Sequence, residues 1–225
     1  PHPRLLPRAR GDLGLRLRPA DGADAVHGEL LRRLDRRPPH AERGHFLYES
    51  GHHGDLWMDL EVLFVDVHAL QGWSVALAAQ LAACRADFVC GPLTGGALLA
   101  QPVAAALGAR FVFSERAVLD GRALYTLPSS LRPMVAGMRV VVVDDVINAG
   151  SAVGGTVAAL QAAGATIAGI GALITMGPAA GELAAAHGAP CAALATLERG
   201  MWLPDACPLC RVGDPLLSRV PGFAA

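Results

Sequence analysis

The residues best suited to chemistry lie in one string, Val140-Val-Val-Val-Asp-Asp-Val-Ile-Asn-Ala-Gly-Ser-Ala-Val153. Its four leading valines predict a strand that is buried on both faces, and two adjacent carboxylates, Asp144 and Asp145, end that strand. In open α/β sheets, ligands bind in the crevice outside the carboxyl ends of the strands. We therefore expect Asp144 and Asp145 to face a cleft.

The loop after the two carboxylates has the features of an anion site. Its backbone amides precede the N-terminus of a predicted helix, where free N–H groups and the helix dipole favour a phosphate; they belong to Asn148, Ala149, Gly150, Ser151 and Ala152. The Ser151 hydroxyl is expected either to cap that helix or to bind the same anion. Carboxylates beside phosphate donors fit a sugar phosphate. The alternative is that Asp144 and Asp145 merely end a strand and cap a helix.

Strands and helices alternate along the chain around this string. Predicted strands cover 87–91, 110–113, 139–143, 166–174 and 190–197, and predicted helices cover 66–84, 95–107, 151–163 and 178–187. The short connections favour the α/β class, with a doubly wound, mostly parallel sheet. Asp66 is expected to cap the helix that follows it. The polar segment 114–137 interrupts the alternation and predicts a hairpin or a mobile active-site loop.

The two ends of the chain lack this alternation. Residues 1–21 are rich in Pro, Arg and Gly and predict a mobile basic extension. Residues 22–65 predict a helix over 23–34 and a small N-terminal hood with a short hairpin over 45–64. The α/β core is then expected over 66–200 and a C-terminal tail over 201–225.

Composition and charge exclude several classes of protein. A hydrophobic content of 52% and a mean hydropathy of +0.37 exclude a disordered chain of 225 residues. The net charge of −1 argues against a general nucleic-acid binder. Residues 1–43 hold ten Arg against six acids, but no aromatic residues interleave them, so we expect a solvated extension rather than a nucleic-acid or membrane arm.

The same features predict a cytoplasmic protein. The uncharged stretch 146–181 is interrupted by glycines, which fit turns and loops better than one membrane span. Five cysteines make an odd count and no secretory segment is recognised, so a reducing compartment is expected.

The string 140–153 is similar to the phosphoribosyl-pyrophosphate (PRPP) signature of type I phosphoribosyltransferases. Three further segments resemble the orotate phosphoribosyltransferases: Gly44-His-Phe-Leu-Tyr-Glu-Ser-Gly-His52, Gly91-Pro-Leu-Thr-Gly-Gly96 with Leu98-Leu-Ala100, and Trp202-Leu-Pro-Asp-Ala-Cys-Pro-Leu-Cys-Arg-Val-Gly213. They resemble that family's N-terminal stretch, its pyrophosphate loop and the tail of some members. The resemblance extends over residues 24–217 and implies the type I phosphoribosyltransferase fold.

The resemblance also implies roles for particular residues. Asp144 and Asp145 would bind the ribose hydroxyls and organise the Mg²⁺ that PRPP carries, and residues 148–152 would hold the 5′-phosphate. Pyrophosphate would lie against Leu93, Thr94 and Gly95. A nitrogenous base, orotate in the first instance, would displace pyrophosphate from ribose C1, as in UMP biosynthesis. A homodimer is expected from the same resemblance.

The chain departs from the family at its cationic positions. All 19 basic residues are Arg, so the lysine that closes over pyrophosphate in orotate enzymes is missing. Arg116, Arg122 and Arg132 lie in the corresponding segment, and Arg116 is assigned the catalytic role.

The base side of the expected site also departs from the family. Ile174-Thr175-Met176 lacks the usual Arg that contacts orotate, and Glu49 has the wrong sign for pyrophosphate. His52 is the expected substitute for the missing cation, with His53 and Arg43 as alternatives. A phosphoribosyltransferase for another base and a non-catalytic PRPP or nucleotide sensor remain open.

Cys207 and Cys210 have the spacing of a pair of metal ligands, but a structural zinc site needs four. A tight C-terminal turn is the favoured interpretation of Cys207-Pro-Leu-Cys210. The alternative is a zinc ion that is shared across a dimer or completed by Cys191 or a histidine.

Overall fold

The computed structural model describes residues 28, 30, 41–48, 50–119, 122–197 and 199–219. Near its start, β1 (Ala41–Leu47) and β2 (His53–Met58) form the predicted antiparallel hairpin, and a 3₁₀ turn over Leu60–Phe64 follows. Most of the helix predicted over 23–34 lies outside the described residues, although Gly28 and Leu30 are helical and Leu30 is completely buried. The predicted extension over 1–21 lies outside them altogether.

A six-stranded sheet forms the centre of the molecule and confirms the predicted doubly wound topology. Its strands are β3 (Phe88–Pro92), β4 (Arg110–Leu119), β5 (Arg122–Thr126), β6 (Arg139–Ile147), β7 (Thr166–Met176) and β8 (Cys191–Leu197). They lie in the order β5-β4-β3-β6-β7-β8. All neighbours are parallel except β5, which runs antiparallel to β4 at the edge.

Helices cover both faces of this sheet. They are α1 (Val67–Leu81), α2 (Gly95–Leu107), α3 (Arg132–Val135), α4 (Ser151–Ala162) and α5 (Ala179–Ala186). Successive side chains of β6 point to opposite faces, so Val141 and Val143 pack in a core with α1 and α2, while Val140 and Val142 pack with α4 and α5. This two-sided burial explains why β6 begins as an unbroken run of valines.

The ends of several elements follow from local interactions. The Asp66 side chain accepts a hydrogen bond from the Ala69 amide at 3.1 Å, which confirms the predicted cap of α1. The segment 114–137 contains the predicted hairpin, but β4 continues to Leu119 instead of ending at Phe113, because its second half pairs with β5. None of the helices in the described part of the chain has the length and apolar composition that crossing a bilayer requires.

The C-terminal tail joins the hood, which the sequence does not predict. The short strand β9 (Met201–Trp202) pairs antiparallel with β2, and β10 (Leu217–Ser218) pairs parallel with β1. Between them lies α6 (Pro208–Arg211). The hood is therefore a four-stranded sheet of order β10-β1-β2-β9, built from both ends of the described chain.

Candidate active site

The strand order of the central sheet reverses between β3 and β6. From β3 the chain continues to β4 on one side, and from β6 it continues to β7 and β8 on the other side. Such a reversal leaves a crevice at the carboxyl ends of the two strands. Asp144 and Asp145 lie towards that end of β6, and Leu93 directly follows β3. The topology therefore brings the predicted carboxylates to the predicted edge.

A cavity of about 500 Å³ lies between this edge and the hood. The hood side is lined by Tyr48, Ser50, Leu56, Trp57, Met58, Asp59, Leu60 and Glu61, and the core side by Asp144, Val146, Ile147, Asn148, Ala149, Gly150, Ser151, Ala152, Val153 and Met176. Arg219 of the C-terminal tail also lines it. The cavity is large enough for a small-molecule ligand.

The loop before α4 presents backbone amides to this cavity. Gly150 occupies the cap position with a φ of +78°, a left-handed conformation that favours glycine. The Gly154 amide donates to the Gly150 carbonyl at 2.7 Å, and the amides of the first helical turn have no acceptor within the helix. Gly150, not Ser151, is the cap residue, so the interpretation of Ser151 as the cap is wrong. The loop retains the geometry of an anion site.

Asn148 adds a side chain that lacks a partner. Its Oδ1 atom is buried and has no hydrogen-bond partner among the described residues, although Asn148 lines the cavity. A buried polar atom without a partner is unfavourable, so a ligand with a donor group would stabilise this arrangement.

The two carboxylates lie side by side, that of Asp144 buried and that of Asp145 half-buried. Asp144 is 7% exposed, and its Oδ1 accepts a hydrogen bond from the Asp145 amide at 3.1 Å. The Oδ1 atom of Asp145 accepts one from the Val146 amide at 2.7 Å. Burial and the neighbouring charge of Asp145 raise the pKa of Asp144 well above its usual range, and burial also raises the pKa of Asp145. A cation would relieve this repulsion, and hard divalent cations prefer carboxylate oxygens.

The first residues of α2 lie directly against these carboxylates. A Cβ atom on Gly95 would stand 2.1 Å from Asp145 Oδ2, and one on Gly96 would stand 2.7 Å from Asp144 Oδ1. Any side chain at these two positions would displace the carboxylates. The positive end of the α2 dipole therefore faces the carboxylates and favours their ionised form.

The other predicted site residues lie at different distances from the cavity. Leu93, Thr94 and Gly95 lie at the switch point of the sheet but do not line the cavity. His52 is at its rim, where its Nδ1 atom is 3.1 Å from the Oγ atom of the lining residue Ser50. Arg116 lies in β4 opposite Tyr125 and does not line the cavity. The structure thus brings together Asp144 and residues 148–152, and the roles of the remaining residues stay predictions.

Arg219 is a cavity residue that the sequence analysis missed. Among the described lining residues it carries the one cationic side chain, whereas Met176 is uncharged, as predicted from the sequence. Arg219 contacts the Glu42 carboxylate and lies over the Phe46 ring, 5.7 Å from its centre. Arg219 reaches the cavity because it directly follows β10 (Leu217–Ser218), which pairs with β1. A strand of two residues is too short to be recognised from a sequence pattern.

Two of the proposed substitutes for the missing cation are engaged elsewhere. Arg43 donates to Asp55 Oδ2 at 2.8 Å, and His53 lies 3.1 Å from His45. Neither lines the cavity. Tyr48 does line it, and its hydroxyl donates to the Leu56 carbonyl. Burial raises the pKa of Tyr48, so its hydroxyl keeps this proton near neutral pH.

A doubly wound sheet with an anion-binding loop and paired carboxylates at its switch point defines an α/β protein with a ligand site at the carboxyl ends of its strands. Comparison with known proteins agrees: residues 72–189 match the model of the phosphoribosyl transferase domain. The chain is 35% identical to the orotate phosphoribosyltransferase of Thermus thermophilus over 183 residues, which cover 81% of this chain and 96% of that protein. The chain belongs to the phosphoribosyltransferase family.

Further relatives and solved structures support this assignment. The orotate phosphoribosyltransferase of Caldanaerobacter subterraneus is 29% identical over 177 residues, covering 78% of this chain and 87% of the relative. The crystal structure of orotate phosphoribosyltransferase from Aeropyrum pernix matches with a TM-score of 0.56 and 22% identity, covering 75% of this chain and 93% of that one. The latter similarity shows the common fold.

Proposed function

We propose that the protein transfers the ribose 5-phosphate group of PRPP to orotate and releases pyrophosphate. The observation that carries this proposal is the single cavity that joins the anion loop and Asp144 to the wall of the hood. Such a cavity offers a phosphate site, a ribose site and a space for a planar base in one continuous volume. The names of the relatives supply the choice of orotate among bases.

The lining residues suggest how PRPP is oriented. The 5′-phosphate would accept hydrogen bonds from the amides of residues 149–152 at the start of α4. The ribose hydroxyls would donate to the carboxylate of Asp144, with Asp145 beside it. Ribose C1 would then face the hood, and the base would lie between Tyr48 and Trp57 of the hood and Met176 of the core.

The paired carboxylates fit the Mg²⁺ ion that we propose PRPP carries. Asp144 is buried and Asp145 half-buried, both have raised pKa values, and both offer the oxygen ligands that Mg²⁺ prefers. When bound, Mg²⁺ would neutralise charge on the departing pyrophosphate. Asp144 and Asp145 would bind and orient the sugar from their fixed hydrogen-bonded positions at the end of β6.

The chemistry itself is a displacement at ribose C1. A ring nitrogen of orotate forms the new bond to C1 while the bond from C1 to the pyrophosphate oxygen breaks and its electrons leave with pyrophosphate. The proton that this nitrogen carried passes to solvent or to the departing pyrophosphate. The hood wall would shield the reacting carbon from water, which would otherwise hydrolyse the activated sugar. We retain Arg116 as the proposed cation for pyrophosphate. Arg116 lies in the hairpin of β4 and β5, opposite Tyr125. This hairpin packs closely on α4, because a Cβ atom added to Gly155 would stand 2.4 Å from the Tyr125 ring.

Orotate brings a carboxylate that needs a compensating charge. We assign this contact to Arg219, which lines the cavity. Its side chain is 42% exposed and shares its charge with Glu42, so we expect it to contribute about tenfold to orotate affinity, less than a fully buried pair. His52 at the rim is the second proposed contact.

The assembly and location of the protein are further parts of the proposal. The homodimer that the family resemblance implies remains a proposal, and Val65 and Val67, which are 82% and 69% exposed before and at the start of α1, are our candidates for its contact. None of the five cysteines is paired in a disulfide, which supports a reducing, cytoplasmic compartment. Light scattering of the purified protein measures its oligomeric state directly.

The proposal is tested by pyrophosphate release from PRPP and Mg²⁺ with a panel of orotate, uracil, adenine and hypoxanthine. We expect release with orotate above all, and its loss in Asp145→Asn. Faster release with another base would assign the protein to that base.

The missing lysine favours one further candidate, a PRPP sensor without turnover. Calorimetry separates the two functions, because a sensor binds PRPP with Mg²⁺ and releases no pyrophosphate with any base. Turnover with orotate would exclude the sensor.

A further inference from the structure

Four metal-binding side chains meet at the junction of the hood and the tail, away from the sugar-phosphate site. His45 lies in β1, His53 begins β2, Cys207 precedes α6 and Cys210 lies within it. The four side chains each offer one ligand atom, and these atoms all lie within 4.8 Å of one another. None of the four lines the cavity between hood and core. Cys191, at the start of β8, is not part of the group.

The distances between these atoms are those of a tetrahedral site. Zinc bonds of about 2.0–2.1 Å to nitrogen and about 2.3 Å to sulfur place two nitrogens about 3.4 Å apart, and nitrogen and sulfur about 3.6 Å apart. His45 Nε2 and His53 Nδ1 are separated by 3.1 Å. The sulfur of Cys207 is 3.4 Å from His45 Nε2, and that of Cys210 is 3.6 Å from His45 Nε2 and 3.2 Å from His53 Nδ1.

The surroundings orient one ligand for a metal. His45 Nδ1 is 2.8 Å from the Asp214 carbonyl oxygen, which can only accept, so Nδ1 carries the proton. The Nε2 atom of the neutral ring then has a lone pair directed at the cluster. A backbone carbonyl behind a histidine is the usual outer partner of a metal-bound imidazole.

Burial favours a metal over a group of side chains alone. His45, His53 and Cys207 are 2%, 6% and 1% exposed, and Cys210 faces solvent. Buried polar groups need strong partners, and thiols are weak hydrogen-bond donors and acceptors. A metal ion would satisfy all four groups at once, and the exposed Cys210 leaves it a path of entry.

We propose that His45, His53, Cys207 and Cys210 bind one structural zinc ion that fastens the C-terminal tail to the hood. Two thiolates and two imidazoles select zinc over Mg²⁺ or Ca²⁺, and four protein ligands leave no open position for catalysis. One chain supplies all four, so no ligand from a second subunit is needed. The ion holds together chain segments that also form the neighbouring strand pairs β1–β10 and β2–β9.

The first test is the metal content of the whole protein, purified without chelators and measured by inductively coupled plasma mass spectrometry. We expect about one zinc per chain. We also expect replacement by Co²⁺ to give the visible absorption of a tetrahedral site with thiolate ligands. A wild-type protein that contains no zinc and takes up none on dialysis against it would overturn the proposal.

Variants locate the ion. Cys207→Ser and Cys210→Ser should each lower zinc content about tenfold after dialysis, while the matched control Cys191→Ser should keep it. Zinc retained by the Cys207→Ser/Cys210→Ser double variant would place the metal elsewhere and refute the assignment. If a variant fails to fold, release of zinc from wild-type protein by a thiol-modifying reagent, followed with a chromogenic chelator, tests the same ligands.

These measurements do not depend on turnover. Zinc in a protein that never releases pyrophosphate would contradict the proposed transferase only, and efficient orotate turnover in a zinc-free protein would contradict the metal site only.

Discussion

Replacing Gly95 by alanine should weaken PRPP binding without unfolding the protein. The added methyl group would stand 2.1 Å from Asp145 Oδ2 and 2.6 Å from Asp145 Cγ. Ordinary contacts between carbon and oxygen begin at about 3.3 Å, so the carboxylate must move by about 1.2 Å. Since the obstructing atoms end a side chain, Asp145 can rotate while the backbone of β6 and α2 stays in place. The movement would also break its 2.7 Å hydrogen bond with the Val146 amide.

The magnitude follows from the contacts that Asp145 would lose. In the proposed complex Asp145 lies beside the ribose hydroxyls, and one hydrogen bond from a hydroxyl to a carboxylate contributes about 1.5–3 kcal/mol, so its loss should lower PRPP affinity about tenfold to a hundredfold. Stability should fall slightly, because the lost hydrogen bond from the Val146 amide outweighs the preference of a helix for alanine over glycine, which is at most about 1 kcal/mol. Clearly weaker binding with a slightly lower melting temperature is therefore the expected result.

Gly154→Ala is the matched control, since it adds the same methyl group to α4, where no atom beyond the neighbouring residues and the backbone of the helix itself lies within 4 Å of the new Cβ. We expect it to raise the melting temperature by up to about 2–4 °C and to leave PRPP affinity unchanged. Calorimetric titration with PRPP and Mg²⁺ measures affinity, and thermal unfolding measures stability. Equal affinities of the Gly95→Ala and Gly154→Ala variants would refute the placement of Asp145 in the binding site.

Three further predictions concern other parts of the molecule. Burial raises the pKa of Asp144 in the folded state, so ionisation of this carboxyl lowers the stability of the protein as pH rises from about 4. Asp144→Asn should therefore have a higher melting temperature than wild type at pH 8, with a difference that shrinks towards pH 4. An equal difference at both pH values would contradict this. Arg219→Ala should raise the KM for orotate about tenfold and leave PRPP affinity unchanged, whereas a similar loss for both substrates would indicate general damage to the hood. Ser114→Ala removes the 2.7 Å hydrogen bond to Thr156, both fully buried, and should lower unfolding free energy in denaturant titrations by about 1 kcal/mol; no change would show that the bond is not stabilising.

The core could be predicted from sequence because its residues obey simple periodicities. The valines at 140–143 are buried on alternate faces of β6, and the carboxylates after them mark the ligand-binding edge. The end of β4 was missed because its last residues are fixed by pairing with β5 rather than by their own pattern. Local pattern predicts elements well and their boundaries poorly when distant pairing decides them.

The base side of the site could not be predicted for a related reason. Arg219 reaches the cavity through a pairing between residues 46–47 and 217–218, which are separated by most of the chain. His45 and His53 meet Cys207 and Cys210 in the same way. A spacing rule sees Cys207 and Cys210 as an incomplete pair, since the two histidines lie more than 150 residues earlier in the chain. Contacts of such sequence separation leave no local signal.

The interleaving of both chain ends in one small sheet has a consequence for how activity arises during synthesis. The hairpin of β1 and β2 leaves the ribosome early, but its two outer neighbours, β9 and β10, are among the last described residues to emerge. A nascent chain can complete the central sheet and the phosphate loop while the base side of the cavity is still open. We expect a chain truncated before residue 201 to bind phosphate but to discriminate poorly between bases.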